Sequence, residues 1–117
     1  MHSLFLFNKY YCKFKMSVPI DYASITKLDL SNKKLDVLPD LCMYVNLKKL
    51  YCNLNKITSL NNLPPNLEIL YCSYNQITSL DNLPPNLIKL EYYGNPLIYD
   101  FEPTLENIRN YNASRIS

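Results

Sequence analysis

A tandem repeat of 20 residues constrains the fold of this chain more than any other feature of its sequence. Residues 46–65 read NLKKLYCNLNKITSLNNLPP and residues 66–85 read NLEILYCSYNQITSLDNLPP, so fourteen of the twenty letters are shared. A third copy begins at Asn86 with NLIKLEYYGNPL. A fixed period of this length predicts an array of units, each of which buries its apolar residues only against its neighbours.

The first half of each copy follows one template, L-x-x-L-x-L-x-x-N-x-L. Leu50 and Cys52 are two positions apart, so on a β-strand they point to one face while Lys49 and Tyr51 point to the other. This alternation predicts one short strand per copy. The template is occupied by Leu47, Leu50, Cys52, Asn55 and Ile57, by Leu67, Leu70, Cys72, Asn75 and Ile77, and by Leu87, Leu90, Tyr92, Asn95 and Leu97.

An asparagine stands at the ninth template position of all three copies, as Asn55, Asn75 and Asn95. The chain leaves the strand at this position, and an inward side-chain amide there can satisfy backbone groups that would otherwise be buried without partners. We therefore expect these three residues to form a structural asparagine ladder.

The second half of each copy ends in the sequence Leu-Pro-Pro-Asn-Leu, at residues 63–67 and again at residues 83–87. Proline has no backbone N–H and a fixed φ, so two consecutive prolines exclude a helix and favour polyproline-II backbone. The side opposite the strands is thus predicted to be extended, and helices are predicted to be few.

Spacing, asparagine position and tandem period together resemble the leucine-rich repeat family. The resemblance runs from Ile25 to Leu97 and includes a looser first copy, in which Asn32 stands one place early and Lys33 occupies the asparagine position. It implies a solenoid with a short, curved parallel β-sheet and an extended or polyproline-II convex side. The Leu-Pro-Pro segments resemble LPX-type effectors of enteric bacteria, and the tandem copies resemble still more closely the repeat proteins of giant DNA viruses of the mimivirus type.

The repeats divide the chain into an N-terminal flank or cap (1–24), four repeats (25–97) and a C-terminal cap (98–117). The flank is predicted either to form a β-hairpin that covers the first repeat or, if Met16 is the true start, to begin with a non-native extension of fifteen residues. After Pro103, the spacing of Leu105 and Ile108 predicts a short helix. The alternative is a degenerate fifth repeat that starts at Leu105.

Composition and motifs exclude several classes of function. The net charge is only +2 and the basic residues are dispersed, so we expect no nucleic-acid partner. One histidine, one glycine and no paired carboxylates predict no enzyme, no cofactor, no metal site and no small-molecule substrate.

Cysteine usage and hydropathy predict an intracellular protein without a membrane segment. Cys52 and Cys72 replace apolar residues of the template, and we expect them to be buried and reduced. The apolar run of residues 4–7 is too short for a signal peptide or a transmembrane segment. A reducing compartment follows as the prediction, and the viral resemblance implies either the host cytoplasm or the virion.

The strand side chains that face away from the core define the predicted functional surface. We predict a protein-interaction module that binds a protein or peptide partner through this concave strand face. Tyrosine is also common on solvated strands, and the alternative is a structural or accessory protein, such as a virion or assembly component, without a selective ligand. The predicted partner-binding residues are Lys49, Tyr51, Tyr71, Tyr74, Lys89, Glu91 and Tyr93.

Overall fold

The computed structural model describes residues 21–115, so the predicted N-terminal hairpin and the choice of start at Met16 lie outside the described residues. The elements within this range are a 3₁₀ turn at Tyr22–Ser24, the strands β1 (Lys27–Asp29), β2 (Lys49–Tyr51), β3 (Ile69–Tyr71) and β4 (Lys89–Glu91), and the helix α1 (Leu105–Ser114).

The four strands form one parallel sheet in the order β1-β2-β3-β4. The register pairs Leu28 with Leu50, Leu50 with Leu70, and Leu70 with Leu90, so equivalent template positions lie side by side. The predicted parallel sheet with few helices is confirmed. Its strands are short because the alternating pattern lasts only a few residues in each copy.

The core lies on one side of the sheet and is built from the inward template positions. Leu50 and Leu70 on the two central strands are fully buried, whereas Leu28 and Leu90 on the two outer strands are only partly buried. A terminal repeat has one neighbour fewer, and the outer strands therefore bury less of their apolar surface.

Each template asparagine bonds to its own repeat and to the preceding one. The Asn75 Nδ2 donates to the carbonyl oxygens of Cys72 at 3.1 Å and of Cys52, one repeat earlier, at 2.9 Å. Its Oδ1 accepts the N–H of Ile57 at 3.0 Å. Asn55 and Asn95 bond in the same way: Asn55 Oδ1 accepts from Lys33 and Leu35, and Asn95 Oδ1 accepts from Asn75 and Ile77.

The second half of each tandem copy contains no helix and no strand between residues 56 and 66 or between residues 76 and 86. Pro64 and Pro84, the first proline of each pair, are buried. Their carbonyl oxygens accept the N–H groups of Leu67 and Leu87 at 3.2 Å in tight turns that lead into the next strand. The prolines thus end the connection and direct the chain back to the sheet.

The segment after Pro103 is helical, so it does not add a fifth strand to the described part of the chain. Thr104 caps α1 by accepting the Asn107 N–H, and Ile108 is buried on the inner side of the helix. Arg109 Nη2 donates to three carbonyl oxygens that precede β4, those of Pro84, Pro85 and Leu87, at 2.7–3.2 Å. No helix within residues 21–115 is long and apolar enough to cross a membrane.

The described cysteines are of two kinds. Cys52 and Cys72 are free thiols with no exposed surface. Burial raises the pKa of Cys52 to about 12 and raises the pKa of Cys72 as well, so both stay neutral at physiological pH. Cys42, in contrast, is disulfide-bonded. Disulfides persist mainly in oxidising compartments, so this bond does not fit the predicted reducing environment, and the compartment remains a prediction.

We expect Asn75→Ala to destabilise the fold, because it leaves the buried N–H of Ile57 without a partner and removes one of the two amide donors, Asn55 and Asn75, that bond to the Cys52 carbonyl. A buried donor left without a partner costs about 1–3 kcal/mol. Chemical denaturation of the full chain measures the loss. Asn61→Ala is the matched control, because that exposed amide bonds only to the Ser59 hydroxyl. Equal losses in the two variants would contradict the structural role of Asn75.

We also expect Cys52 and Cys72 to resist alkylation in the native protein. The reactive species is the thiolate, and both thiols are buried with raised pKa values. Mass spectrometry of peptides after timed labelling, with and without denaturant, measures the two rates separately. Native labelling as fast as that of an unfolded cysteine peptide would show that these positions do not face the core.

Candidate functional site

The outward side chains of the sheet, here called the strand face, form two rows that cross all four strands. The first residues of the four strands are paired in register and form the first row, and the last residues of the strands form the second row. The lysine row contains Lys27, Lys49 and Lys89, with Ile69 between the last two; the tyrosine row contains Asp29, Tyr51, Tyr71 and Glu91.

Two tyrosines at the centre of the strand face stack on each other. The ring centroids of Tyr51 and Tyr71 are 4.8 Å apart with an interplanar angle of 30°. Neighbouring strands are about 4.8 Å apart, so identical residues in register fall at stacking distance. Lys27 Nζ lies 5.1 Å from the Tyr51 ring centroid and Lys89 Nζ lies 5.2 Å from that of Tyr71. The tyrosine pair is therefore held between two cations.

Two charged groups of the strand face, Lys89 and Asp29, have pKa values that are shifted away from neutral pH. Hydrogen bonding to the Tyr71 side chain raises the pKa of Lys89, which stays protonated. The N–H of Ser31 donates to the Asp29 carboxylate at 2.9 Å and lowers the pKa of Asp29, which stays ionised. The Asp29 carboxylate thus already accepts a hydrogen bond from the turn that follows its strand.

The seventh template position carries a second set of backbone hydrogen bonds, which the sequence did not predict. Asn53 Oδ1 accepts the N–H of Ser73 at 2.7 Å, and Ser73 Oγ accepts the N–H of Tyr93 at 3.1 Å. These side chains hold adjacent repeats together and have little capacity left for a partner. Small polar residues at one template position of consecutive repeats were the available signal.

The residue after this position adopts a left-handed backbone in every repeat. The φ values are 56° at Asn32, 59° at Leu54, 60° at Tyr74 and 70° at Gly94. Asparagine and glycine tolerate this region, whereas leucine and tyrosine are strained in it. Leu54 and Tyr74 are nevertheless 55% and 59% exposed, so burial does not offset the strain.

The four tyrosines among the predicted partner-binding residues fall into separate groups. Tyr51 and Tyr71 form the stacked pair, whereas Tyr74 and Tyr93 lie beyond the carboxyl ends of the strands and are largely exposed. A Cβ atom added to Gly94 would lie 2.4 Å from Tyr74 Cδ1, so the Tyr74 ring packs directly over the glycine backbone. Lys49, Lys89 and Glu91, the other predicted residues, stand on β2 and β4 as the template placed them.

No family model matches the chain, and neither a curated protein nor a solved structure matches it. Within the part of the chain that the structure describes, no three His, Cys, Asp or Glu side chains are grouped so that they could hold a metal ion. The geometry of the strand face is therefore the basis for assigning a function.

We expect Gly94→Ala to destabilise the chain by about 1–2 kcal/mol, because the added methyl group displaces the Tyr74 ring and strains a left-handed backbone. A double-mutant cycle separates the two causes. In a Tyr74→Ala background the clash is absent, and Gly94→Ala should cost less when both are measured by thermal unfolding. An equal cost in both backgrounds would show that the ring does not contact Gly94.

Proposed function

We propose that this chain is a leucine-rich-repeat-like solenoid that binds a protein or peptide partner through its concave strand face. The observation that carries the proposal is the stacked pair of Tyr51 and Tyr71, which stands partly exposed at the centre of the face with a lysine over each ring. Tyrosine is enriched in binding hot spots because a large ring buries much area at little cost in conformational entropy.

The rigidity of the face supports this function. The strands that hold the tyrosine pair are joined by backbone bonds, such as Cys52 N–H to Tyr71 O at 2.8 Å, and by the side-chain bonds of Asn75. A preorganised surface loses less entropy when a partner binds. We therefore expect the backbone of the sheet to change little when a partner binds.

The dimensions of the face limit the partner. Three strand spacings of about 4.8 Å and five residues of about 3.3 Å give a surface of roughly 14 by 16 Å. This area, on the order of 230 Å², compares with about 800 Å² per partner in a standard interface. The partner should contribute a peptide segment or a protein edge, and the strand face alone should bind it at micromolar strength or more weakly.

The competing function is a structural or accessory role in a larger assembly of the host cell or the virion. One observation favours it: Leu90 and Tyr92 near the outer edge of the sheet are only partly buried, although they occupy core positions of the template. Another subunit that covered this edge would bury them. The structural role predicts concentration-dependent self-association, which sedimentation of the purified chain measures.

We expect Tyr51→Ala combined with Tyr71→Ala to abolish capture of the partner. The measurement is proximity labelling in the native host cell, followed by quantification of the proteins labelled by the parent and by the variant. Loss of the ring stack should cost about 0.5–1.5 kcal/mol of stability, so circular dichroism must show that the variant is still folded at the working temperature.

The matched control is Tyr22→Ala combined with Tyr44→Ala. These residues also form a ring pair, with centroids 5.0 Å apart, but Tyr22 belongs to the 3₁₀ turn and neither residue lies on the strand face. The control should retain the labelled proteins. Survival of the labelling pattern in a folded Tyr51/Tyr71 variant would place the binding surface elsewhere or leave the structural role as the better proposal.

A further inference from the structure

The strand face has two chemically different margins, one on each side of the stacked tyrosines. The lysine row of Lys27, Lys49 and Lys89 begins at the first margin, and from there the Lys27 and Lys89 ammonium groups reach the tyrosine rings. None of these three ammonium groups lies within salt-bridge distance of a carboxylate in the described chain; its two ion pairs join Lys48 with Glu68 and Arg115 with Asp81. A partner that meets this margin should therefore supply acidic groups.

The second margin is an apolar ridge formed by Leu54, Tyr74 and Tyr93. The three residues come from adjoining repeats, since Leu54 N–H donates to Ser73 O at 2.9 Å and Tyr74 N–H donates to Tyr93 O at 2.6 Å. All three side chains are more than half exposed. A partner that meets this margin should supply large apolar side chains.

The backbone of the ridge adds an independent reason to assign it a contact role. Leu54 and Tyr74 occupy left-handed positions at which Asn32 and Gly94, in the other two repeats, are the residue types that this backbone favours. Strained backbone of this kind clusters at functional sites. Leu54 and Tyr74 are also the largest of the four residues at this template position.

We infer that the docking segment of the partner is an extended stretch of chain in which acidic residues alternate with large apolar residues. This inference rests on the proposed function. In an extended chain, successive side chains point to opposite sides. A segment that lies across the strands over Tyr51 and Tyr71 therefore directs one set of side chains to the lysine row and the other set to the apolar ridge. The sheet is about 14 Å wide, which matches four or five extended residues.

The experiment selects phage-displayed random decapeptides on the full chain and measures the affinities of the synthetic selected peptides by fluorescence anisotropy. We expect the selected peptides to carry Asp or Glu at every second position, with Leu, Ile, Phe or Tyr between them. Their binding should weaken as salt concentration rises, because exposed ion pairs are screened.

Variants of the chain then test each margin. Lys27→Gln with Lys89→Gln should weaken binding about tenfold, whereas Lys33→Gln with Lys56→Gln, which removes two exposed lysines outside the rows, should leave it unchanged. Leu54→Asn should weaken binding severalfold and leave the melting temperature at or above that of the parent, because asparagine suits the left-handed backbone. Ile98→Asn, which removes an exposed apolar residue outside the ridge, is its control.

The outcomes distinguish a failure of the inferred peptide chemistry from a failure of the proposed binding function. Selected peptides that require Tyr51 and Tyr71 but carry no alternating acidic residues would overturn the inference and leave the proposed function in place. Acidic residues spaced three or four apart would indicate a helical partner and would also overturn it. If no peptide is enriched on the parent over the Tyr51→Ala/Tyr71→Ala variant, both the inference and the proposed function fail.

Discussion

The parallel sheet depends on hydrogen bonds from asparagine side chains, because each strand contains only three residues and forms few backbone bonds of its own. The amide of Asn75 bonds to the carbonyl oxygens of two consecutive repeats at once. A shift of one repeat by a single residue would break these bonds and would also turn Leu70 from the core to the solvent. The same side chains therefore fix both cohesion and register, and the positions of Tyr51 and Tyr71 follow from that register.

Much of this arrangement could be predicted from the sequence, because tandem repeats translate spacing directly into position. The alternation around Leu50 and Leu70 located the strands, and the parallel pairing placed Tyr51 beside Tyr71. The helix near Leu105 followed from helical spacing after a proline. The strand predictions succeeded because one residue type performs one physical role in every copy.

Other features could not be predicted, because they depend on which neighbouring atoms a side chain reaches. The spacing of Asn53 and Ser73 does not reveal their partners, yet both accept backbone N–H groups of the next repeat. The left-handed backbone at Leu54 and Tyr74 could not be predicted from these two residues, because neither residue type favours it. Only comparison with Asn32 and Gly94 at the same template position would have exposed it.

The uniform register also has a consequence for how such a chain can change over time. Each repeat presents to the next the same donors and acceptors that it receives from the one before, as the matching bonds of Asn75 and Asn95 show. A duplicated copy of residues 66–85 would therefore find compatible partners on both of its sides. Recombination between the similar copies could lengthen or shorten the array by whole units, and each unit would change the width of the strand face by about 4.8 Å.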